Sequence, residues 1–161
     1  MEFLKASSTL TLRAGLDELY REAPEVAEVA RVSKEKGKPF RDHDLTHVIF
    51  GCDTSIDGEL LLKPWILHGT DITFDELRQY ATNPEVKRLK KEATALLGGD
   101  VKALALGVFY YLPLYYWVWI RYVRGLVKKW PHSQASEAML DTPLNEVRQE
   151  YGIRLYPTGA D

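Results

Sequence analysis

The sequence predicts an all-α protein, a single-domain bundle of about six to eight helices. Three observations support this fold class. Apolar residues recur at intervals of three and four, as they do along one face of an α-helix. Residues that favour helix starts and glycines that favour helix ends punctuate the chain. No segment alternates apolar and polar residues between the Asn-Gly or Asp-Gly turns that are typical of β-hairpins.

The length of 161 residues suits one domain with a substantial core. We place this domain over residues 1–161, with a helical core at about residues 9–153. We expect the ends to fray before about Thr9 and after about Tyr156. The amino terminus has no long apolar stretch behind a basic start, so it does not predict a secretory signal.

Two helices are predicted before residue 40. Leu12, Leu16 and Leu19 stand at helical spacing with polar residues between them. Pro24 is suited to the first turn of a second helix, which we expect to end before Gly37. The apolar side of this second helix consists of Val26, Val29 and Ala30.

The later helices are marked mainly by their ends. Thr73, followed three residues later by Glu76, has the pattern of a capping box. Pro84 starts a further helix, which stops at the glycine pair 98–99. Pro143 opens a last helix near the carboxyl end of the chain.

The segment from Val101 to Val123 is strongly apolar and aromatic, with no charge between Ala103 and Ile120. Its length raises the question of a transmembrane helix. Gly107 and Pro113 interrupt it, however, and its tyrosine hydroxyls would lack partners in hydrocarbon. We therefore prefer a buried core helix, and two alternatives stay open: a lipid-tail groove or interfacial surface, and a membrane span. The residues predicted to bind a lipid are Tyr110, Tyr111, Tyr115 and Trp119.

Charge and cysteine content exclude several classes of function. With 21 lysines and arginines against 23 aspartates and glutamates, the net charge is -2, and no basic stripe with interleaved aromatics occurs. Nucleic acid is therefore not an expected partner. A single cysteine, Cys52, excludes an intramolecular disulfide and a zinc site built from several thiolates. We interpret it as a small buried side chain.

The most informative motif consists of His43, His47 and, after eleven further residues, Glu59. If the histidine segment is helical, the two imidazoles stand one turn apart on the same face. The loop 51–58 is rich in glycine, aspartate and serine, so it can turn the chain and bring Glu59 back over the pair. Two imidazoles and a carboxylate are typical ligands of zinc in an open site, and they suit ferrous iron equally. We therefore predict a divalent-metal site.

Asp44 has three open roles: a fourth ligand, a partner that orients an imidazole, or a proton acceptor. Because a helix turns by about 100° per residue, Asp44 and His43 can both bind one ion only if the backbone bends. An alternative is that His43 and His47 bind no metal and are spaced by four by chance. His68 and His132 have no comparable neighbours, and we interpret them as ordinary polar residues.

Two enzyme classes with similar motifs do not fit. A zincin metalloprotease needs glutamate directly after the first histidine, where this chain has Asp44. An HD-type phosphohydrolase shares the His43–Asp44 doublet but needs another histidine well upstream, and none precedes position 43.

The motif resembles the metal signature of the coenzyme Q (ubiquinone) biosynthesis protein four family, and in particular its bacterial members. The agreement spans roughly Leu10 to Ile153, nearly the whole chain. The matching residues around and beyond the motif are Leu45–Val48, Gly51, Asp53–Thr54, Gly58, Tyr122–Gly125, Lys129–Trp130 and Pro143–Ile153. One departure is the Lys63–Pro64 pair, since proline should interrupt the helix expected after Glu59.

The resemblance implies an all-helical fold with a hydrophobic groove for an isoprenoid tail. It also implies a bound divalent metal, for which zinc is most often assigned and iron and magnesium are alternatives. By position the metal ligands are His43, Asp44, His47 and Glu59. No catalytic residue is assigned.

The partners implied are a polyprenylated quinone precursor, the other ubiquinone biosynthetic enzymes and a membrane surface. A homodimer is an open alternative. The expected location is the bacterial cytoplasm, with peripheral association to the inner membrane.

Two functions follow from these expectations. The first is metal-dependent oxidative decarboxylation of the polyprenylated ring. Zinc has no redox chemistry, so the oxidation would need molecular oxygen with another metal, or another acceptor. The second is a non-enzymatic, lipid-binding scaffold that organises the other enzymes at the membrane. The basic residues that could meet anionic headgroups are Arg121, Arg124, Lys128 and Lys129.

Overall fold

The computed structural model describes residues 1–35, 40–132, 135 and 137–157. These residues form helices joined by short loops, with two isolated bridges and no strand among them, which confirms the all-α prediction. The predicted end of the second helix at Gly37 lies outside the described residues.

The α-helices are α1 (Leu12–Glu22), α2 (Pro24–Glu35), α3 (Arg41–Phe50), α4 (Ile56–Pro64), α5 (Phe74–Thr82), α6 (Pro84–Leu96), α7 (Asp100–Leu106), α8 (Leu112–Arg121), α9 (Glu137–Leu140) and α10 (Leu144–Tyr151). Two wider π-helical turns, Trp65–Gly69 and Gly107–Tyr111, follow α4 and α7 directly. Short 3-10 helices span Glu2–Leu4 and Val123–Gly125.

The first helix forms as its sequence predicts. The side chain of Thr11 accepts a hydrogen bond from the N–H of Ala14 at 3.1 Å, which caps the start of α1. Leu12, Leu16 and Leu19 are all buried, so the predicted leucine face is the face that meets the core. Around this face the core joins α1 to α3 and α10.

The amino terminus is ordered by its contacts, and the expectation that it frays is wrong. Phe3 is fully buried in the core. The N–H groups of Glu2 and Phe3 donate to the carboxylate of Glu18 at 2.7 and 2.9 Å. Burial and hydrogen bonding hold a terminus in place whatever its position in the sequence. The predicted fraying after Tyr156 falls mainly on residues 158–161, outside the described residues.

The predicted helix ends in the second half of the chain are confirmed. Thr73 and Glu76 form a complete capping box, with the Glu76 N–H donating to the threonine hydroxyl at 3.2 Å and the Thr73 N–H donating to the glutamate at 2.7 Å. Pro84 opens α6, and the glycines 98–99 follow its end with positive φ. At the end of α10, Gly152 has φ +71°, which favours glycine.

Proline alters the two long helices without breaking them. Pro64 is the last residue of α4, and the helix continues as the π-helical turn Trp65–Gly69. The second long helix contains Pro113 in α8. Just before this proline, the N–H of Leu112 donates to the carbonyl of Gly107, five residues back. A π-turn has a wider hydrogen-bond pattern than an α-turn and is a common cause of local irregularity in helices. The interruptions expected at these prolines are therefore changes of helical geometry.

The aromatic segment is exposed, so its interpretation as a buried core helix is wrong. Within residues 100–125, Val118 and Val123 are the residues that are buried. Phe109 is 81% exposed and Leu104 69% exposed. The helix Asp100–Gly125 is long and apolar enough to cross a membrane by length and composition, which is weak evidence by itself. The lipid-tail groove or interfacial surface and the membrane span are the interpretations that this exposure leaves.

A buried arginine joins α10 to α3 and to the amino terminus. The Arg148 guanidinium donates to the carbonyls of Val48 and Ile49 at 2.8 and 3.0 Å, and to those of Phe3 and Lys5 at 2.6 and 2.8 Å. Burial lowers the pKa of Arg148 to about 10, so the side chain stays charged at neutral pH. Two of the four carbonyls belong to the last turn of α3, where the helix dipole favours a positive charge.

We predict that Arg148→Met lowers the free energy of unfolding by about 3 kcal/mol or more, because buried carbonyls lose a charged donor. Chemical denaturation followed by circular dichroism measures this. The matched control is Arg154→Met, which removes one exposed bond to the carbonyl of Arg121 and should cost about 0.5 kcal/mol or less. Equal effects of the two substitutions would contradict the structural role of Arg148.

Candidate metal centre

Two helices bring together the three residues of the predicted metal motif. His43 and His47 lie one turn apart on α3, and Glu59 lies in the first turns of α4. Nε2 of His47 is 3.3 Å from Nε2 of His43 and 3.1 Å from Oε1 of Glu59. Nε2 of His43 is 3.8 Å from Oε2 of Glu59. These three side chains form a group that could hold a metal ion, with all ligand atoms within 4.8 Å of one another.

The separations match the edges of a small coordination polyhedron. Ligand bonds of about 2.0–2.1 Å in a tetrahedral zinc site place neighbouring ligand atoms about 3.3 Å apart. The distances of 3.1 and 3.3 Å from Nε2 of His47 agree with this value. Electron-pair donors this close repel one another unless a proton or a cation lies between them. The arrangement is therefore suited to a shared cation.

The imidazole of His47 is oriented by the backbone of the loop that follows α3. Its Nδ1 lies 3.2 Å from the carbonyl of Cys52 and 3.1 Å from that of Asp53. Carbonyl oxygens only accept hydrogen bonds, so Nδ1 carries the proton and the neutral ring presents its Nε2 lone pair to the cluster. Backbone carbonyls that orient histidines in this way are common around metal ions.

The loop between the two helices is shaped to place Glu59. Gly51, with φ +64°, ends α3 and reverses the chain. The hydroxyl of Ser55 then caps α4 by accepting from the N–H of Gly58 at 3.1 Å. A Cβ at Gly58 would lie 2.2 Å from the carbonyl oxygen of Asp53, so only glycine fits there. Glu59 follows directly and faces the histidines.

The electrostatics of the cluster favour a bound charge. Burial opposes protonation of His47, but the hydrogen bond and charge of Glu59 outweigh it and raise the pKa of this histidine. Burial likewise opposes ionisation of Glu59, but the two histidines hold the pKa of its carboxyl well below its usual range. A divalent ion would replace the shared proton, so its affinity should fall as the pH is lowered.

Asp44 is not among the three converging ligands. It is buried beside them on α3, and its Oδ2 accepts a hydrogen bond from the hydroxyl of Tyr20 at 2.9 Å. Burial raises the pKa of Asp44 to about 6, although His43 and the Tyr20 hydrogen bond act in the opposite direction. This position agrees with the turn of about 100° per residue in a helix. The side chain is better placed to support the cluster than to bind the ion.

A cavity of about 540 Å³ opens beside the cluster, with His43 and Glu59 in its wall. The rest of its wall combines aliphatic residues from the π-helical turn Trp65–Gly69, α5 and the loop before α5 with charged and polar residues, among them Asp42, Lys63 and Glu76. The aliphatic members are Ile66, Leu67, Ile72 and Leu77. A cavity that combines a polar end with an apolar wall suits a ligand with a polar head and an apolar body.

Three polar residues of this cavity are not singled out by sequence patterns. Tyr80 stacks on His43, with ring centroids 5.0 Å apart, and its hydroxyl is 3.4 Å from Nε2 of that histidine. Lys63 stands one helical turn after Glu59, a spacing that could have indicated it. His132, interpreted above as an ordinary polar residue, also lines the cavity. Tyr80 and His132 carry no local signal, since chain segments far apart bring them here.

The predicted lipid-binding residues lie outside this cavity. Tyr110 is 54% exposed, and the Tyr111 hydroxyl donates to Asp57 at 3.2 Å. The Tyr115 hydroxyl lies 2.6 Å from Nε2 of His68, against which the ring of Trp119 also packs with centroids 5.2 Å apart. None of these four aromatic residues lines the cavity. They form a separate surface, in which Tyr115 and Trp119 contact His68 of the π-helical turn Trp65–Gly69.

Cys52 is buried and its thiol lies 3.8 Å from the carbonyl of Phe50, as expected for a small packed side chain.

Comparison of the chain with protein-family models, curated proteins and solved structures found no match. The family resemblance therefore stays a prediction that depends on the motif residues.

We predict that the purified protein binds one divalent ion per chain, and that His43→Ala and Glu59→Gln each weaken binding by about 100-fold or more, because each removes a ligand. Isothermal titration with zinc and elemental analysis measure this. His68→Ala is the control, since His68 contacts Tyr115 and lies outside the cluster. Wild-type protein that binds no ion, or ligand variants that bind normally, would refute the metal centre.

Proposed function

We propose that the protein acts in ubiquinone biosynthesis, as a metal-dependent enzyme that oxidatively removes the carboxyl group from a polyprenylated ring. The observation that carries the proposal is the convergence of His43, His47 and Glu59 at the edge of a cavity whose wall is partly aliphatic. This arrangement suits a substrate with an anionic ring and an isoprenoid tail. The assignment to ubiquinone biosynthesis comes from the resemblance of the motif to that of the coenzyme Q biosynthesis protein four family.

The residues around the cavity have distinct tasks in this proposal. A divalent ion held by the triad would act as a Lewis acid on the carboxylate or hydroxyl of the ring. Lys63 adds a positive charge to a wall that also carries Asp42 and Glu76, so the bound ion itself would be the main attraction for an anionic ring. Ile66 and Leu67 pack against the first part of the tail and keep water from the reacting carbon.

Two metal ions with different chemistry, zinc and ferrous iron, are compatible with these ligands. Two imidazoles and one carboxylate suit zinc in a three-ligand open site, and they equally suit ferrous iron. Iron would supply redox chemistry for the oxidative step, with molecular oxygen as the acceptor of the electrons. Zinc requires that oxygen with another metal, or another acceptor, removes the electrons.

The exposed aromatic surface provides a path for the rest of the tail. His68 lies in the same π-helical turn as Ile66 and Leu67, which line the cavity. On its other side His68 contacts Tyr115 and Trp119. A tail that leaves the cavity past Leu67, which is 45% exposed, would reach these aromatics within a few isoprene units.

The proposal is tested in bacteria that make ubiquinone and carry His43→Ala in place of the wild-type protein. We expect ubiquinone to fall more than about tenfold, because the carboxyl-removing step loses its metal ligand. The carboxylated polyprenyl precursor should accumulate, as measured by mass spectrometry of lipid extracts. Phe74→Ala, which changes an exposed side chain outside the cavity, should leave both at wild-type levels. Normal ubiquinone in the His43→Ala strain would refute the enzymatic proposal.

A second candidate function is a lipid-binding scaffold that docks the other ubiquinone biosynthetic enzymes at the membrane. It is favoured by the exposure of the helix Asp100–Gly125. Basic residues lie near both ends of this helix. Near its start are Lys102 in its first turn and, on the neighbouring α6, Lys87, Lys90 and Lys91. Near its end are Arg121 and Arg124 within it and Lys128 and Lys129 just after it. Some of these charges have partners within the protein, such as Lys128 with Glu150 and Arg124 over the ring of Trp119. An apolar helix with flanking cations suits the surface of an anionic membrane.

We predict that the protein sediments with vesicles containing phosphatidylglycerol, and less with pure phosphatidylcholine vesicles or at high salt. The double substitution Leu104→Ser and Phe109→Ser should weaken binding about tenfold or more, since both side chains are exposed on the helix. The control is Phe74→Ser, which removes an equally exposed aromatic from α5. Equal loss in both variants, or no vesicle binding at all, would contradict a membrane-facing helix.

A further inference from the structure

We propose that Tyr80 is a fourth protein ligand of the metal centre and binds the ion through its phenolate oxygen. The proposal rests on the metal site described above and adds to it a residue from a third helix. The sequence motif contains His43, His47 and Glu59, and Tyr80 lies outside it on α5.

The position of the hydroxyl is the first argument. Oη of Tyr80 is 3.4 Å from Nε2 of His43, and Nε2 of His47 is 3.3 Å from the same atom. The tyrosine oxygen therefore stands at the distance that separates neighbouring ligands around one small ion, about 3.3 Å. Oε2 of Glu59 lies 3.8 Å from Nε2 of His43, so three candidate ligand atoms surround that nitrogen.

The support of the ring is the second argument. The Tyr80 ring stacks on the imidazole of His43 with an interplanar angle of 30°. The edge contact with Phe40, with centroids 5.7 Å apart, holds it from another side. The capping box of Thr73 and Glu76 secures the start of the helix that carries it. Packing of this kind restricts the rotamers of a ligand before the ion arrives.

The chemistry of the tyrosine oxygen is the third argument. Burial and the charges of Glu59 and Asp44 raise the pKa of Tyr80, so its phenol is neutral without an ion. A divalent ion favours the ionised form of a group that coordinates it, so Tyr80 ionises only as it binds the ion. When it binds, the O–H bond of the phenol breaks, an oxygen–metal bond forms, and the proton passes to water. No oxidant or reductant takes part.

The spectrum of the copper-loaded protein tests the proposal. Two imidazoles and carboxylate and phenolate oxygens bind Cu²⁺ well, and a phenolate on Cu²⁺ has an intense charge-transfer band in the visible region, which other ligands of this site lack. We expect the wild-type protein with one Cu²⁺ per chain to show this band. Tyr80→Phe keeps the stacked ring, so it should keep the bound copper and lose the band.

Two control variants separate Tyr80 from its neighbours. Tyr20→Phe removes the hydroxyl that donates to Asp44, and Tyr115→Phe removes one that contacts His68. Both should retain the band. A second measurement is the zinc dissociation constant, which should rise at least about tenfold in Tyr80→Phe and stay unchanged in Tyr115→Phe.

The failures of this inference and of the metal centre can be told apart. Wild-type protein that holds one Cu²⁺ without the band would overturn the role of Tyr80 and leave the triad intact. A band that persists in Tyr80→Phe would assign it to another tyrosine and overturn the proposal as well. Wild-type protein that binds neither copper nor zinc would overturn both.

Discussion

The guanidinium of Arg148 is the contact on which the architecture depends. It is buried, and it donates to main-chain carbonyls of both α3 and the amino-terminal segment, which lie about a hundred or more residues away in the sequence. A charge in that position needs all of its donors occupied, because an unpaired buried charge is costly. The requirement fixes where α3 ends relative to α10. Since α3 carries His43 and His47, the same contact determines the position of the imidazoles.

The side chains of the candidate metal centre are held in place by the protein itself. The ring of His47 is held by two backbone carbonyls, and its free nitrogen points at Glu59. The loop after α3 and the first turn of α4 allow this only because glycines stand at positions 51 and 58, where a side chain would be strained or would collide with its surroundings. A site whose ligands are held in this way binds an ion with little reorganisation. The same short segment of chain therefore shapes both the fold and the candidate metal centre.

The long aromatic helix Asp100–Gly125 forms a second, largely exposed apolar surface. Most of its apolar side chains face outward, and its contact with the core is confined to its carboxyl-terminal half, around Val118 and Val123. Exposed apolar surface on this scale marks a site of contact with a partner or a membrane. The π-helical turn Trp65–Gly69 lies between this surface and the cavity, with Leu67 on one side and His68 on the other. A ligand could thus contact the metal centre and the aromatic surface together.

The sequence by itself determined the features that depend on neighbouring residues. Helical periodicity, capping signals and the four-residue spacing of His43 and His47 translate directly into local geometry, and the turn-forming loop correctly predicted the approach of Glu59. Only the tertiary structure decided the features that depend on distant contacts. The stacking of Tyr80 on His43 and the bonds of Arg148 to α3 join segments whose spacing contains no periodic signal. Hydropathy likewise predicted an apolar helix but not its exposure, because burial is decided by which other surfaces the chain places against it.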